Sequence, residues 1–132
     1  MASVHVDPSE YIQADGSGLS RLNFVSPRTV VSLLTYMTTR PDFPIYYDSL
    51  PIAGVDGTLT YRMKNTAAAG NCHAKTGSLG YVSTISGYVT DADGSKLVFS
   101  ILMNSHSAPA HTCAVAEDQI ITLLAGYHSK SR

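Results

Sequence analysis

The sequence predicts an α+β fold (mixed α/β), with antiparallel strands and a terminal helix packed on the sheet. Three observations carry this prediction. Val82 to Thr90 is rich in β-branched and aromatic residues, and the Asp91-Ala92-Asp93-Gly94 that follows is a hairpin turn signal. Lys96 to Met103 is a nearly continuous apolar run, with Leu97, Val98, Phe99, Ile101 and Leu102, which reads as a central strand covered on both faces. From Pro109 to Tyr127 the apolar positions Ala114, Val115, Ile120, Ile121, Leu123 and Leu124 return to helical spacing.

The remaining elements follow in chain order. Tyr11 to Ala14 is a short strand candidate running into the turn Asp15-Gly16-Ser17-Gly18. Ser26-Pro27 opens a helix, with Ser as N-cap and Pro at the first helical position. Val30, Val31, Leu33, Leu34 and Met37 give that helix an apolar face, and Pro41 and Pro44 end it. Ile45 to Leu50 fits one or two helical turns, Pro51 to Gly57 a loop, and Thr58 to Arg62 another short turn. Thr66 to Asn71 is a loop of small residues that leads into a strand from Cys72 to Leu79. Glu117 and Asp118 suit the N-terminal half of the last helix, where the helix dipole favours acids.

Bulk properties exclude several classes. A chain of 132 residues suits one domain or part of one. With 44% hydrophobic and 14% charged residues it can bury a core, unlike a disordered tail. Its formal net charge of -1, from 9 basic and 10 acidic residues, offers no field for nucleic acid or an anionic membrane. No apolar run reaches membrane-spanning length. The stretch Met1 to Asp7 lacks a basic segment followed by an apolar one, so no secretory signal is expected in this chain. That leaves a cytosolic protein or a chain that lacks its true N-terminus. Cys72 and Cys113 have no CxxC partners and read as two buried thiols rather than a disulfide. The five histidines are scattered, and neither a metal nor another cofactor is expected.

The segment His73-Ala74-Lys75-Thr76-Gly77-Ser78-Leu79 carries the chemistry. A lysine supplies charge, two hydroxyls donate hydrogen bonds, and a glycine admits a ligand close to the backbone. It is not a P-loop, because the upstream glycine-rich stretch is absent. Taken alone, it suits an anion site but reads first as an ordinary solvated strand start. Asp15, Ser17 and Ser20 read as a turn bonding its own backbone, and Asp56-Gly57 as a turn or helix cap. His73 falls on the same strand face as Lys75 and reads as packing or rim.

Context adds a resemblance. Asp15-Gly16-Ser17-Gly18-Leu19-Ser20-Arg21, then Asn23 and the Ser26-Pro27 helix start, resemble a signature of the class C low-molecular-mass penicillin-binding proteins. These are serine-type D-Ala-D-Ala carboxypeptidases and endopeptidases. Leu50 to Leu59 with Arg62 resembles the family's middle block, and Ala74 to Leu79 its Lys-Thr-Gly motif. Ser86-Gly87-Tyr88-Val89 and Leu97-Val98-Phe99 fall where the next two strands should be. The match runs from Tyr11 to the terminal helix. It implies a β-lactamase/transpeptidase-like fold, a peptidoglycan stem peptide or β-lactam as ligand, and an extracytoplasmic place for the full-length parent. By the same resemblance, Lys75 sets the electrostatics of the cleft and helps proton transfer, and Thr76 binds the terminal carboxylate. Gly77 keeps the strand edge open. Ser78 supplies an oxyanion-hole N–H and turns its hydroxyl to the same carboxylate. Arg21 lines the pocket for the far end of the peptide, although a surface salt bridge explains that residue equally well.

The family's other two motifs are absent. No lysine has a serine three residues before it, and no asparagine has one two residues before it. Residues 1–132 are therefore expected to be the C-terminal part of a penicillin-binding domain, inactive alone. A non-catalytic carboxylate-binding domain and an interaction domain derived from the same fold are the alternatives. The missing N-terminal part would leave an apolar face exposed, which would favour association with that part or with a second copy.

Overall fold

The structure, a computed structural model, describes residues 6–129. Its main sheet is a meander of three antiparallel strands, β3 (His73–Leu79), β4 (Val82–Thr90) and β5 (Lys96–Asn104). Before it come a two-stranded ribbon of β1 (Tyr11–Ile12) and β2 (Phe24–Val25), then helices α1 (Pro27–Met37) and α2 (Phe43–Asp48). Helix α3 (Ala110–Ala125) follows the sheet. The expected α+β class, strand order and terminal helix are all present. The expected 11–14 strand shortens to two residues, because the chain turns away into the Asp15–Asn23 loop.

β4, rather than β5, is the central strand of this sheet. The apolar run in β5 has a different cause: α1 and α3 cover its two faces while its edge carries no partner among the described residues. On the α3 face, Ile85, Val89 and Phe99 pack with Ile121, Ala125, Ala74 and the buried loop residues Leu59 and Met63. On the α1 face, Tyr88 packs with Leu34 and Leu50 and is ringed by Phe43, Tyr46, Tyr47 and Val98. The Tyr88 hydroxyl donates to the Leu34 carbonyl at 2.7 Å, which satisfies its one buried polar atom. Burial raises its pKa above the ordinary tyrosine value.

α1 starts as its sequence dictates. Ser26 Oγ accepts from the Thr29 N–H at 3.0 Å, and Pro27 takes the first helical position. The same hydroxyl donates to Glu10 at 2.8 Å, tying the helix start to the residue before β1.

A buried ion cluster joins α3 to the loop before β3. Arg62 donates to Asp118 Oδ1 at 2.9 Å, to Glu117 Oε2 at 2.8 Å and to the Ala114 carbonyl at 3.1 Å. Ser83 of β4 donates to the other Glu117 oxygen at 2.7 Å. Burial alone would lower the Arg62 pKa, but the bonds and charges of Asp118 and Glu117 outweigh it and raise it. Glu117 and Asp118 sit at mid-helix, where the dipole contributes little. They pair with Arg62 instead.

Both cysteines are free and buried, as expected. Burial, aided by the Asp118 charge, pushes the Cys72 thiol up to about 12.

Candidate active-site groove

Alternation along β4 shows where the sheet is open. Ser83, Ile85, Gly87 and Val89 point towards α3 and are buried. Val82, Thr84 and Ser86 point the other way and are only half-buried. That second face is paved by α1 and α2 at Tyr88 and left open beyond it. Register puts Lys75 opposite Ser86, Gly77 opposite Thr84 and Leu79 opposite Val82, so all six share the open face. Leu102 and Asn104 of β5 extend it.

The open face forms the floor of a groove of about 1070 Å³. Lys75, Thr76 and Gly77 of β3 line it together with Arg21, Phe24 and Val25, from the 15–25 loop and β2. Arg21 and Lys75 both line it, and no aspartate or glutamate does. The charged side chains of the groove lining are therefore both cationic. Exposed Leu19, Phe24 and Val25 make part of its lining apolar.

β3 is an edge strand, and its geometry decides what it offers. The Ala74 N–H points away from β4 and donates to the Pro51 carbonyl at 3.0 Å. Backbone groups alternate, so the N–H and C=O of Thr76 and Ser78 also point to the open edge. Lys75 Nζ donates to the outward Thr76 carbonyl at 2.7 Å. Thr76 Oγ1 donates to Thr58 Oγ1 at 2.9 Å. A Cβ on Gly77 would stand 2.5 Å from Thr84 Oγ1, so a side chain there would both crowd β4 and fill the floor.

Of the five residues picked out from the sequence, Lys75, Thr76, Gly77 and Arg21 come together in one groove. Ser78 lies exposed on the same edge, beyond the groove lining. His73 is packing: its ring stacks on Tyr47 with centroids 3.8 Å apart, and its Nδ1 bonds the Tyr47 carbonyl at 3.1 Å. Asp15 is a turn residue. Its Oδ1 accepts from Asn23 Nδ2 at 3.1 Å and from the Ser17 hydroxyl at 3.0 Å, and these bonds hold its carboxyl below the usual value. Asp56 Oδ1 likewise closes a loop by accepting from the Ile52 N–H at 2.7 Å.

Sequence reasoning missed the far end of the groove. Tyr81 and Ser105 take the left-handed region, at φ 65° and 57°, and the His106 N–H joins the two loops by donating to the Tyr81 carbonyl at 3.4 Å. Left-handed backbone in a non-glycine costs about 1–2 kcal/mol, and the cost recurs at functional sites. The Gly80-Tyr81 pair between two strands was the available signal. Among the described residues no group of acidic, His or Cys side chains is arranged to hold a metal.

Residues 1–126 match the model of the D-Ala-D-Ala carboxypeptidase 3 (S13) family. The chain belongs to that family. It is 43% identical to a D-alanyl-D-alanine carboxypeptidase from Actinomadura sp. (strain R39), over 96% of this chain and 24% of that protein. It is 36% identical to penicillin-sensitive carboxypeptidase A of Dictyostelium discoideum, over 92% of this chain and 25% of that protein. The chain thus spans about a quarter of the length of these curated relatives. Among solved structures, penicillin binding protein 4 (dacB) from Haemophilus influenzae superposes with a TM-score of 0.79 at 35% identity, over 89% of this chain and 28% of that one. A second structure of that protein holds a β-lactam. A predatory endopeptidase from Bdellovibrio bacteriovorus, with a TM-score of 0.72 at 20% identity over 96% of this chain and 36% of that one, shares the fold.

Proposed function

We propose that this chain forms the carboxylate-binding wall of the active site of a serine-type D-Ala-D-Ala carboxypeptidase or endopeptidase acting on peptidoglycan peptides. The observation that carries the reading is the groove itself. A lysine and an arginine line it, no acid does, Thr76 is part of the lining, and its side is a strand edge with outward N–H groups. A peptide ending in D-alanine, or a β-lactam, presents the anion such a wall accepts.

In this reading Thr76 and Ser78 donate to the terminal carboxylate, and the Lys75 ammonium fixes the sign of the field. The outward Ser78 N–H points along the edge where an oxyanion would develop. Such a donor is worth about 3 kcal/mol in a tetrahedral transition state. Arg21 meets the far end of the peptide. Residues 1–132 carry no Ser-x-x-Lys and no Ser-x-Asn, so the nucleophile comes from outside this stretch. In the complete site a serine oxygen would bond the penultimate D-alanine carbonyl carbon. The peptide nitrogen would leave with a proton as free D-alanine, and water would then cleave the acyl-enzyme. No metal or cofactor is needed. The work belongs outside the cytoplasm, where the substrate is. The remaining part of the domain would cover the apolar wall around Phe24.

The test is a heteronuclear NMR titration of the 132-residue chain with N-acetyl-D-alanyl-D-alanine, paired with an assay for released D-alanine. Saturable shifts at residues 75–79, at about millimolar affinity, with D-alanine release at background, are expected. Turnover above background, or no shift on β3, would overturn the reading.

A further inference from the structure

Thr58 does not line the groove, and it meets the groove through one atom. Its Oγ1 accepts from Thr76 Oγ1 at 2.9 Å, and neither hydroxyl has another hydrogen-bond partner among the described residues. Two facing hydroxyls hold two protons, and only one of them can lie in the shared bond. With Thr76 as donor, its proton is spent on Thr58. A carboxylate only accepts, so Thr76 can bind one only by turning that proton into the groove. The shared bond then has to reverse, with Thr58 as donor. Thr58 can do this by a turn of its own hydroxyl, since no other group among the described residues claims its proton. Its donation also polarises the Thr76 hydroxyl towards the anion.

The fold fixes Thr58 in place for this task. The 51–59 loop lies against the outer side of β3, through the Ile52–His73 bridge and the Ala74 N–H to Pro51 carbonyl bond. Asp56 closes it onto Ile52, and Leu59, the next residue after Thr58, is fully buried. Gly57 takes φ 53°, and a Cβ there would stand 3.0 Å from the Pro51 ring, so a glycine is needed for the loop to bring Thr58 to the edge.

We infer that Thr58 is a positioning residue whose hydroxyl switches Thr76 from a self-paired state to a carboxylate donor. The inference rests on the proposed reading of Thr76 as the carboxylate ligand, and the test separates the two. N-acetyl-D-alanyl-D-alanine is titrated into the chain and into Thr76→Val, Thr58→Val, Thr58→Ser and the double valine variant, by NMR. Thr76→Val weakens binding, Thr58→Val weakens it about threefold to tenfold, and Thr58→Ser restores it. In the Thr76→Val background, Thr58→Val changes affinity by less than about 1.5-fold, because its effect passes through Thr76. If Thr76→Val weakens binding while Thr58→Val does not, the role of Thr58 is refuted and the carboxylate site stands. Equal weakening by Thr58→Val in both backgrounds, or no rescue by serine, also refutes it. If Thr76→Val leaves affinity unchanged, the reading of the site fails and Thr58 fails with it.

Discussion

Replacing Arg62 by methionine should unfold much of what holds α3 to the sheet. The guanidinium makes three bonds, but they are not equal. Asp118 is partly exposed and can rehydrate, and the Ala114 carbonyl is neutral. Glu117 is fully buried, and with Arg62 gone only the Ser83 hydroxyl, at 2.7 Å, still serves it. Removing one partner of a buried pair costs about 3–5 kcal/mol, mainly because the other charge is stranded. That is a large share of the roughly 5–15 kcal/mol by which a domain of this kind is stable. The assay is urea unfolding followed by circular dichroism, with a thermal midpoint drop of about 10–20 °C as a second readout. The decisive comparison is Arg62→Met with and without Glu117→Gln. The amide needs no counter-charge and can still accept from Ser83, so the double variant should recover about 2 kcal/mol or more. A loss under about 1 kcal/mol for Arg62→Met, or no recovery with glutamine, would show that stranded charge does not set the cost.

Three further outcomes follow. Gly87→Ala should prevent folding or cost more than about 3 kcal/mol by urea titration, because its Cβ would collide with the His73 carbonyl and Ala74 where β3 crosses β4. Cys72, with a thiol pushed up to about 12, should be inert to a thiol reagent at pH 8 in the native chain and react within minutes in denaturant, as read by mass spectrometry. Tyr88→Phe should cost about 1–2 kcal/mol in the same unfolding assay, since it leaves the Leu34 carbonyl without its hydroxyl donor.

Much of the fold was legible because local chemistry and tertiary packing agree. Ser26-Pro27 caps α1 in the structure as in the sequence, and Val82 to Thr90 is one strand with the predicted bounds. The strand that carries Lys75, Thr76 and Gly77 was legible as a strand, and its edge position followed from the resemblance. Illegible features were those set by long-range partners. β5 reads as central because an apolar run reports coverage of faces, and says nothing of which neighbour takes the edge. Glu117 and Asp118 read as dipole residues because Arg62 is 55 and 56 positions away in sequence. Thr58 read only as one residue of the Leu50 to Leu59 block, since its bond to Thr76 depends on a loop folding back on β3.

The open face of the sheet shows why a groove is hard to read from a strand's alternation. A half-covered strand should alternate polar with apolar, yet β4 carries hydroxyls on both faces. Ser83 is on the buried face and is tolerated there because Glu117 accepts its proton. Thr84 and Ser86 are on the open face, where Thr84 donates to the Gly77 carbonyl at 3.3 Å and Ser86 pairs with Ser100 at 2.9 Å. In sequence these three residues look alike. The difference lies in what faces them: a buried carboxylate on one side, and on the other an open groove. The Arg62 cluster therefore does more than hold α3. By satisfying Glu117, it lets Ser83 face the core, so that hydroxyls flank the core and the groove on one strand, each with a partner of its own.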